Sequence, residues 1–179
     1  ARWLYVVGWG VRRDSLRDWG IKGCCAYRFV VLGQLQATFR NGDLSDFPEE
    51  LFDRLRADGR VWATYYTLHK IMAGLLDMHM LGENEQAKTV LIDLAQWVDR
   101  WTQPLPELHM QRVLEREYGG MNEVLYNLAV ATKDEHWIDV GHRFDHTRFF
   151  NPLADGRDQL KGLKVNTQIP KILGAARRY

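Results

Sequence analysis

From residue 46 onward, apolar positions recur at three- and four-residue spacing, and no stretch alternates as a half-buried strand would. Asp46-Phe47-Pro48-Glu49-Glu50 reads as a helix start, with proline and acids in the first turn. That helix runs to about Ala57, and Asp58-Gly59 ends it. Residues 62–81 carry Tyr66, His69, Ile71, Met72, Leu75, Leu76 and Met80 on one wide face, closed by Gly82. Residues 84–102 repeat the pattern with Val90, Leu91, Leu94, Trp97, Val98 and Trp101. Pro104 and Pro106 interrupt it, and residues 108–116 form a short helical piece.

Residues 121–132 predict a helix, Lys133-Asp134 a turn, and residues 135–149 a single return helix through Trp137, Ile138, Val140, Phe144 and Phe149. Residues 151–165, with Pro152, Gly156 and Gly162, read as a polar loop. Asn166 opens a last helix through Ile169, Ile172, Leu173 and Ala176 as its apolar positions. Residues 1–43 mix Trp3, Trp9 and Trp19 with glycines and hold no period, so they form an irregular N-terminal segment. Within them, residues 26–39 fit either a helix or a buried strand.

The fold class is therefore all-α. The turns after Leu81 and Thr132 lie about fifty residues apart, a length typical of helix-hairpin arrays. In each unit the first helix is the more apolar and the second is amphipathic. That asymmetry predicts an inner and an outer ring, so residues 44–179 read as part of a closed toroid of helical hairpins, with an open solenoid as the alternative. Long loops precede the inner helices, so their N-termini gather on one rim. That rim collects Tyr65, Tyr66 and His69, then Gly119 to Glu123, then Asn166, Thr167 and Gln168. Amides, an imidazole, a carboxylate and aromatic rings together suit a polyhydroxylated ligand. The alternative is that each group caps its own helix.

The stretch Glu117-Tyr118-Gly119-Gly120-Met121-Asn122-Glu123-Val124-Leu125 poses that choice most sharply. Two glycines precede a buried helix whose first turn holds an amide and a carboxylate. Flexible backbone there admits a polar ligand closely, but Glu123 also matches the helix dipole.

Composition changes this picture little. The 179 residues carry 24 basic and 23 acidic side chains with no basic stripe, which argues against nucleic acid. No apolar run approaches the ~20 residues of a membrane helix. There is no initiator Met and the chain stops within a helical pattern, so a fragment of a longer protein is expected. The only cysteines are Cys24 and Cys25, adjacent, and no zinc-ligand spacing is present. His142 and His146, four apart beside Asp139 and Asp145, lack a third convergent ligand and read as a solvated helix face. Arg177-Arg178 reads as a basic helix terminus.

Several stretches resemble the β-L-arabinofuranosidase-like glycoside hydrolases, in that family's order and spacing from about Gly42. They are Phe47-Pro48-Glu49-Glu50-Leu51-Phe52-Asp53-Arg54-Leu55, Tyr65-Tyr66-Thr67-Leu68-His69-Lys70-Ile71-Met72-Ala73-Gly74-Leu75-Leu76-Asp77, Gly119-Gly120-Met121-Asn122-Glu123-Val124-Leu125 and Asn166-Thr167-Gln168-Ile169-Pro170-Lys171. The resemblance implies an (α/α)6 catalytic domain that releases L-arabinofuranose from plant glycans with retention, so the expected partner is an arabinose-containing glycan. It implies a cysteine thiolate nucleophile held on zinc and a glutamate acid/base, all downstream of Tyr179. Zinc is expected in the longer protein, but no cofactor, metal or catalytic residue is expected in this segment, so the isolated chain is expected to be inactive. Cys24-Cys25 lies upstream of the resembling motifs and takes no such role. Where relatives often have His before Asn-Thr-Gln, this chain has Lys164-Val165.

By resemblance, His69, Asn122, Glu123 and Gln168 face the sugar, and the rim adds Tyr66 and Asn166. Two other readings stay open: a sugar epimerase or lyase on the same toroid, and a non-catalytic helical-repeat binding module.

Overall fold

A computed structural model describes residues 49–117 and 119–178. The expectations for residues 1–43 lie outside the described residues. Every regular element among the described residues is a helix: α1 (Glu49–Arg56), α2 (Thr64–Met80), α3 (Glu85–Thr102), α4 (Glu107–Arg116), α5 (Met121–Thr132), α6 (His136–His142), α7 (Thr147–Ala154) and α8 (Val165–Arg178). They fall in two compact units. One includes Lys70–Trp101, and the other includes residues 49–69 and 102–178.

In the first unit, Ile71, Met72, Leu75, Leu76 and Met78 of α2 are buried. So are Val90, Leu91, Leu94, Ala95, Trp97, Val98 and Trp101 of α3. Met80, expected inward, is exposed at the end of its helix. The α2–α3 turn is short because Asn84 closes both ends. Its N–H donates to the Met78 carbonyl at 3.2 Å, and its Oδ1 caps α3 by accepting the Ala87 N–H at 2.9 Å.

In the second unit, α5 is the central element, packed against α6 on one side and α8 on the other. Met121, Asn122, Val124, Leu125, Tyr126, Leu128 and Ala129 are all buried, so it is apolar nearly all round. Lys133, left-handed at φ 57°, ends it with its N–H on the Ala129 carbonyl. Phe52, Tyr65 and Phe144 form a buried row of edge-to-face rings at 5.3 and 5.2 Å.

Three expectations are corrected here. The return helix is broken: α6 stops at His142, and tight bonds from Arg143, Phe144 and Asp145 back to residues 140–142 carry the chain to an extended His146. After the break Phe144 meets Tyr65, and Asp145 meets Asn122 and Tyr126 of α5. The loop assigned to residues 151–165 begins later, because α7 continues through Pro152 to Ala154. The proline ring is buried, and its carbonyl accepts the Arg157 N–H at 2.8 Å. Most tellingly, α8 is turned over: Ile169, Ile172 and Leu173 are exposed, whereas Gln168, Pro170, Lys171 and Gly174 are buried. Gly174 lies against the Asn122 amide of α5, which also donates to the Lys171 carbonyl, while the Lys171 side chain turns to His146.

Ala63, just before α2, has φ 59° without being glycine. Ala63→Gly is expected to raise stability by up to about 1 kcal/mol, read as a higher urea midpoint with unchanged slope.

Candidate functional site

Gly119 and Gly120 sit where α4, α2 and α5 come together. Glu117 ends α4 in an extended conformation, is buried, and accepts a 2.7 Å hydrogen bond from the Thr64 hydroxyl at the start of α2. That bond draws the Gly-Gly backbone across the first turns of α2. A Cβ on Gly119 would lie 2.7 Å from His69 Nδ1, 3.1 Å from Tyr66 Cα and 3.2 Å from the Tyr65 carbonyl oxygen. A Cβ on Gly120 would lie 3.1 Å from His69 Cδ2, 3.2 Å from Glu123 Oε2 and 3.2 Å from Pro170 Cβ. What approaches the two glycines closely is therefore the imidazole of His69. The bare backbone makes room for a side chain.

This one point gathers the openings of α2, α5 and α8: the His69 ring, the Glu123 carboxylate and Pro170. His69 is buried, and the half-buried Tyr66 ring meets it edge-on at 5.2 Å. Glu123 is half-buried. Asn166 is exposed in the first turn of α8. Asn122 is 1 % exposed, and its amide is spent inside the protein. Its Oδ1 accepts the Glu123 N–H at 2.9 Å, and its Nδ2 donates to Asp145 Oδ1 at 3.2 Å and the Lys171 carbonyl at 3.3 Å. Asn122 thus locks α5 to α8 and holds Glu123 in place. Gln168 is buried and lines a different recess, a cavity of about 360 Å³ shared with His146, Phe149 and Pro152.

Asp145, Lys171 and His146, to which sequence reasoning gave no such role, organise the rest. Asp145 accepts Tyr126 Oη at 2.8 Å and Arg178 at 3.1 Å, besides Asn122. Burial, then the Asp145 carboxylate, holds the Tyr126 phenol well above its ordinary range. Lys171, buried in α8, puts Nζ 2.7 Å from His146 Nδ1 and 5.3 Å from the Phe149 ring centroid. Burial pushes Lys171 down to about 8 and His146 down to about 4, with the nearby Lys171 charge adding to the latter. A lysine amid isoleucines and leucines was the available signal.

His142 and His146, expected on one helix face, belong to different elements. His142 is exposed against the Tyr126 ring, and His146 is buried. Arg177 and Arg178 are more than a basic terminus: they bond Asn127 and Asp145. Among the described residues no three His, Cys, Asp or Glu side chains come together to hold a metal ion, so these residues do not fit the zinc that the resemblance implies. No helix among them is long and apolar enough to cross a membrane.

A family model described as the beta-L-arabinofuranosidase, GH127 catalytic domain, matches residues 15–179. The match begins upstream of Gly42 and includes Cys24 and Cys25. No curated protein matches.

Proposed function

Because the chain belongs to the beta-L-arabinofuranosidase GH127 catalytic-domain family, and so to the glycoside hydrolases, we propose that it forms the sugar-positioning part of a site for L-arabinofuranose at the end of an arabinose-containing plant glycan. The toroid closed by further hairpins belongs to the same proposal. The observation that carries the reading is the convergence on Gly120 of His69 and Glu123 with the start of α8.

Glu123 is the primary contact. A half-buried carboxylate in the first turn of a helix accepts hydrogen bonds from sugar hydroxyls, and bonds to a charged acceptor are the stronger kind. Asn122, accepting the Glu123 N–H, fixes the backbone from which that carboxylate projects. His69 and Tyr66 present an imidazole and a ring edge beside it, and Asn166 stands at the mouth of α8. The nucleophile that the resemblance implies is a cysteine in Glu-x-Cys, which the 179 residues do not contain, so the role assigned to these groups is to bind and orient. No step through zinc is derived from them.

Calorimetric titration with methyl β-L-arabinofuranoside tests the reading. Saturable binding is expected, weakened about tenfold by Glu123→Gln with no change in the urea midpoint. No heat of binding, or equal affinity in the variant, would overturn it. The chain alone is also expected to leave an aryl β-L-arabinofuranoside uncleaved, and turnover above background would refute that.

A further inference from the structure

Polar ties, more than apolar burial, hold α8 in place. Its aliphatic residues Ile169, Ile172 and Leu173 are exposed, and the residues it buries are Gln168, Pro170, Lys171 and Gly174. A helix secured by few apolar contacts opens locally at low free energy. Three of its ties reach α5 and the α6–α7 corner. The Asn122 amide donates to the Lys171 carbonyl at 3.3 Å, Arg177 bonds Asn127, and Arg178 pairs with Asp145 at 3.1 Å. A fourth, Lys171 Nζ to His146 Nδ1 at 2.7 Å, joins two buried side chains at the start of α7.

That fourth tie conflicts with acid. An ammonium has three N–H donors and no lone pair, so Lys171 donates and His146 Nδ1 accepts. The proton of the neutral imidazole then sits on Nε2, which is buried without a hydrogen-bond partner among the described residues. A second proton can enter only at Nδ1, the position that Lys171 occupies. It would set donor against donor and two positive charges in contact, away from water. Nothing facing His146 relieves this. Arg148 of α7 opposes the charge as Lys171 does, and Glu115 of α4, which favours it, pairs with Arg148 at 2.7 Å. Asp145, its neighbour in the chain, is taken by Asn122, Tyr126 and Arg178. Burial, then Lys171, accordingly holds His146 down to about 4.

We propose that α8 is an acid-released clamp: a proton on His146 Nδ1 expels the Lys171 amine, and α8 lifts from α7 and α5 while α5 stays folded. Release also reaches the Gly-Gly opening. Pro170 of α8 lies 3.2 Å from a Cβ position on Gly120, and Gly174 seats on Asn122, which holds the Glu123 N–H. Acid would therefore uncover Gly120 and loosen the amide beside Glu123. That consequence for arabinose rests on the reading above; the release of α8 does not.

Hydrogen exchange on the whole chain at pH 7 and pH 4.5, corrected for intrinsic rates, tests the clamp. With His146 at 6.5 in water and about 4 when docked, this acidification multiplies the opening equilibrium roughly fiftyfold. Protection of residues 168–176 is expected to fall by that factor and to lie at least tenfold below that of residues 124–129 in α5 at pH 4.5. His146→Gln, whose amide oxygen accepts from Lys171 but takes no proton, is expected to abolish the fall. Lys171→Met, which vacates Nδ1, is expected to shrink it, and it serves if the first variant fails to melt cooperatively. Equal protection of α8 and α5 at pH 4.5 means that they unfold together and overturns the clamp. An undiminished fall in both variants also overturns it, assigning the release to another acid-sensitive tie such as Asp145–Arg178. Absence of calorimetric binding of methyl β-L-arabinofuranoside at pH 7 counts against the arabinose reading alone.

Discussion

Gly174→Ala is expected to lower the unfolding free energy by about 3 kcal/mol, read from urea denaturation by helical circular dichroism. A Cβ there would lie 2.3 Å from Asn122 Cγ and Oδ1 and 2.4 Å from its Nδ2. Asn122 cannot swing aside cheaply, because its amide bonds the Glu123 N–H, Asp145 and the Lys171 carbonyl. Either α8 moves away from α5 or those buried bonds break. Gly74→Ala is the control. Gly74 lies inside α2 with nothing within 4 Å of its Cβ position, so the change is expected to stabilise by about 0.5–1 kcal/mol. If Gly174→Ala proved as mild, α8 would not seat on Asn122 as described.

Stability is expected to climb with pH in two separate windows, each worth roughly 2 kcal/mol. His146 is held down to about 4 in the folded protein, against 6.5 for an ordinary histidine. Between those values the unfolded chain binds the proton more readily, so acidification from pH 6.5 to 4 draws the protein toward unfolding. Lys171 is held down to about 8, against 10.5, and raising the pH from 8 to 10.5 likewise relieves a charge that the folded state disfavours. Glu115 and Arg148 face His146 and act on it in opposite senses, so burial and Lys171 dominate. Lys171→Met is expected to flatten the upper window, measured as urea midpoints at pH 8 and 10. An unchanged rise in that variant would show that Lys171 is not the group responsible.

The turned-over α8 shows where legibility ended. Its extent was readable to within a residue from Asn166, but the stripe of Ile169, Ile172 and Leu173 pointed the wrong way. Hydrophobic spacing assumes that the neighbour is apolar. Here the neighbour is the first turn of α5, where Asn122 takes up the Lys171 carbonyl and leaves no room for a Cβ at Gly174. Polar complementarity and close approach together chose the face. Pro152 misled for a related reason: a breaker signal is local, and a buried ring near the end of α7 outweighed one missing hydrogen bond.

The amino-acid sequence by itself determined the all-helical course of the described residues, the positions of most of their helices, and the motifs that match the glycoside hydrolase family. Each of these depends on spacing along the chain, through 3.6-residue periodicity, caps and ordered signatures. Only the tertiary structure decided that the glycines at 119 and 120 accommodate the His69 ring, that Asn122 is a lock, and that His146 and Lys171 share a buried bond. Those are contacts between residues 25 to 50 or so positions apart, set by which backbones can approach and which polar groups would otherwise be stranded.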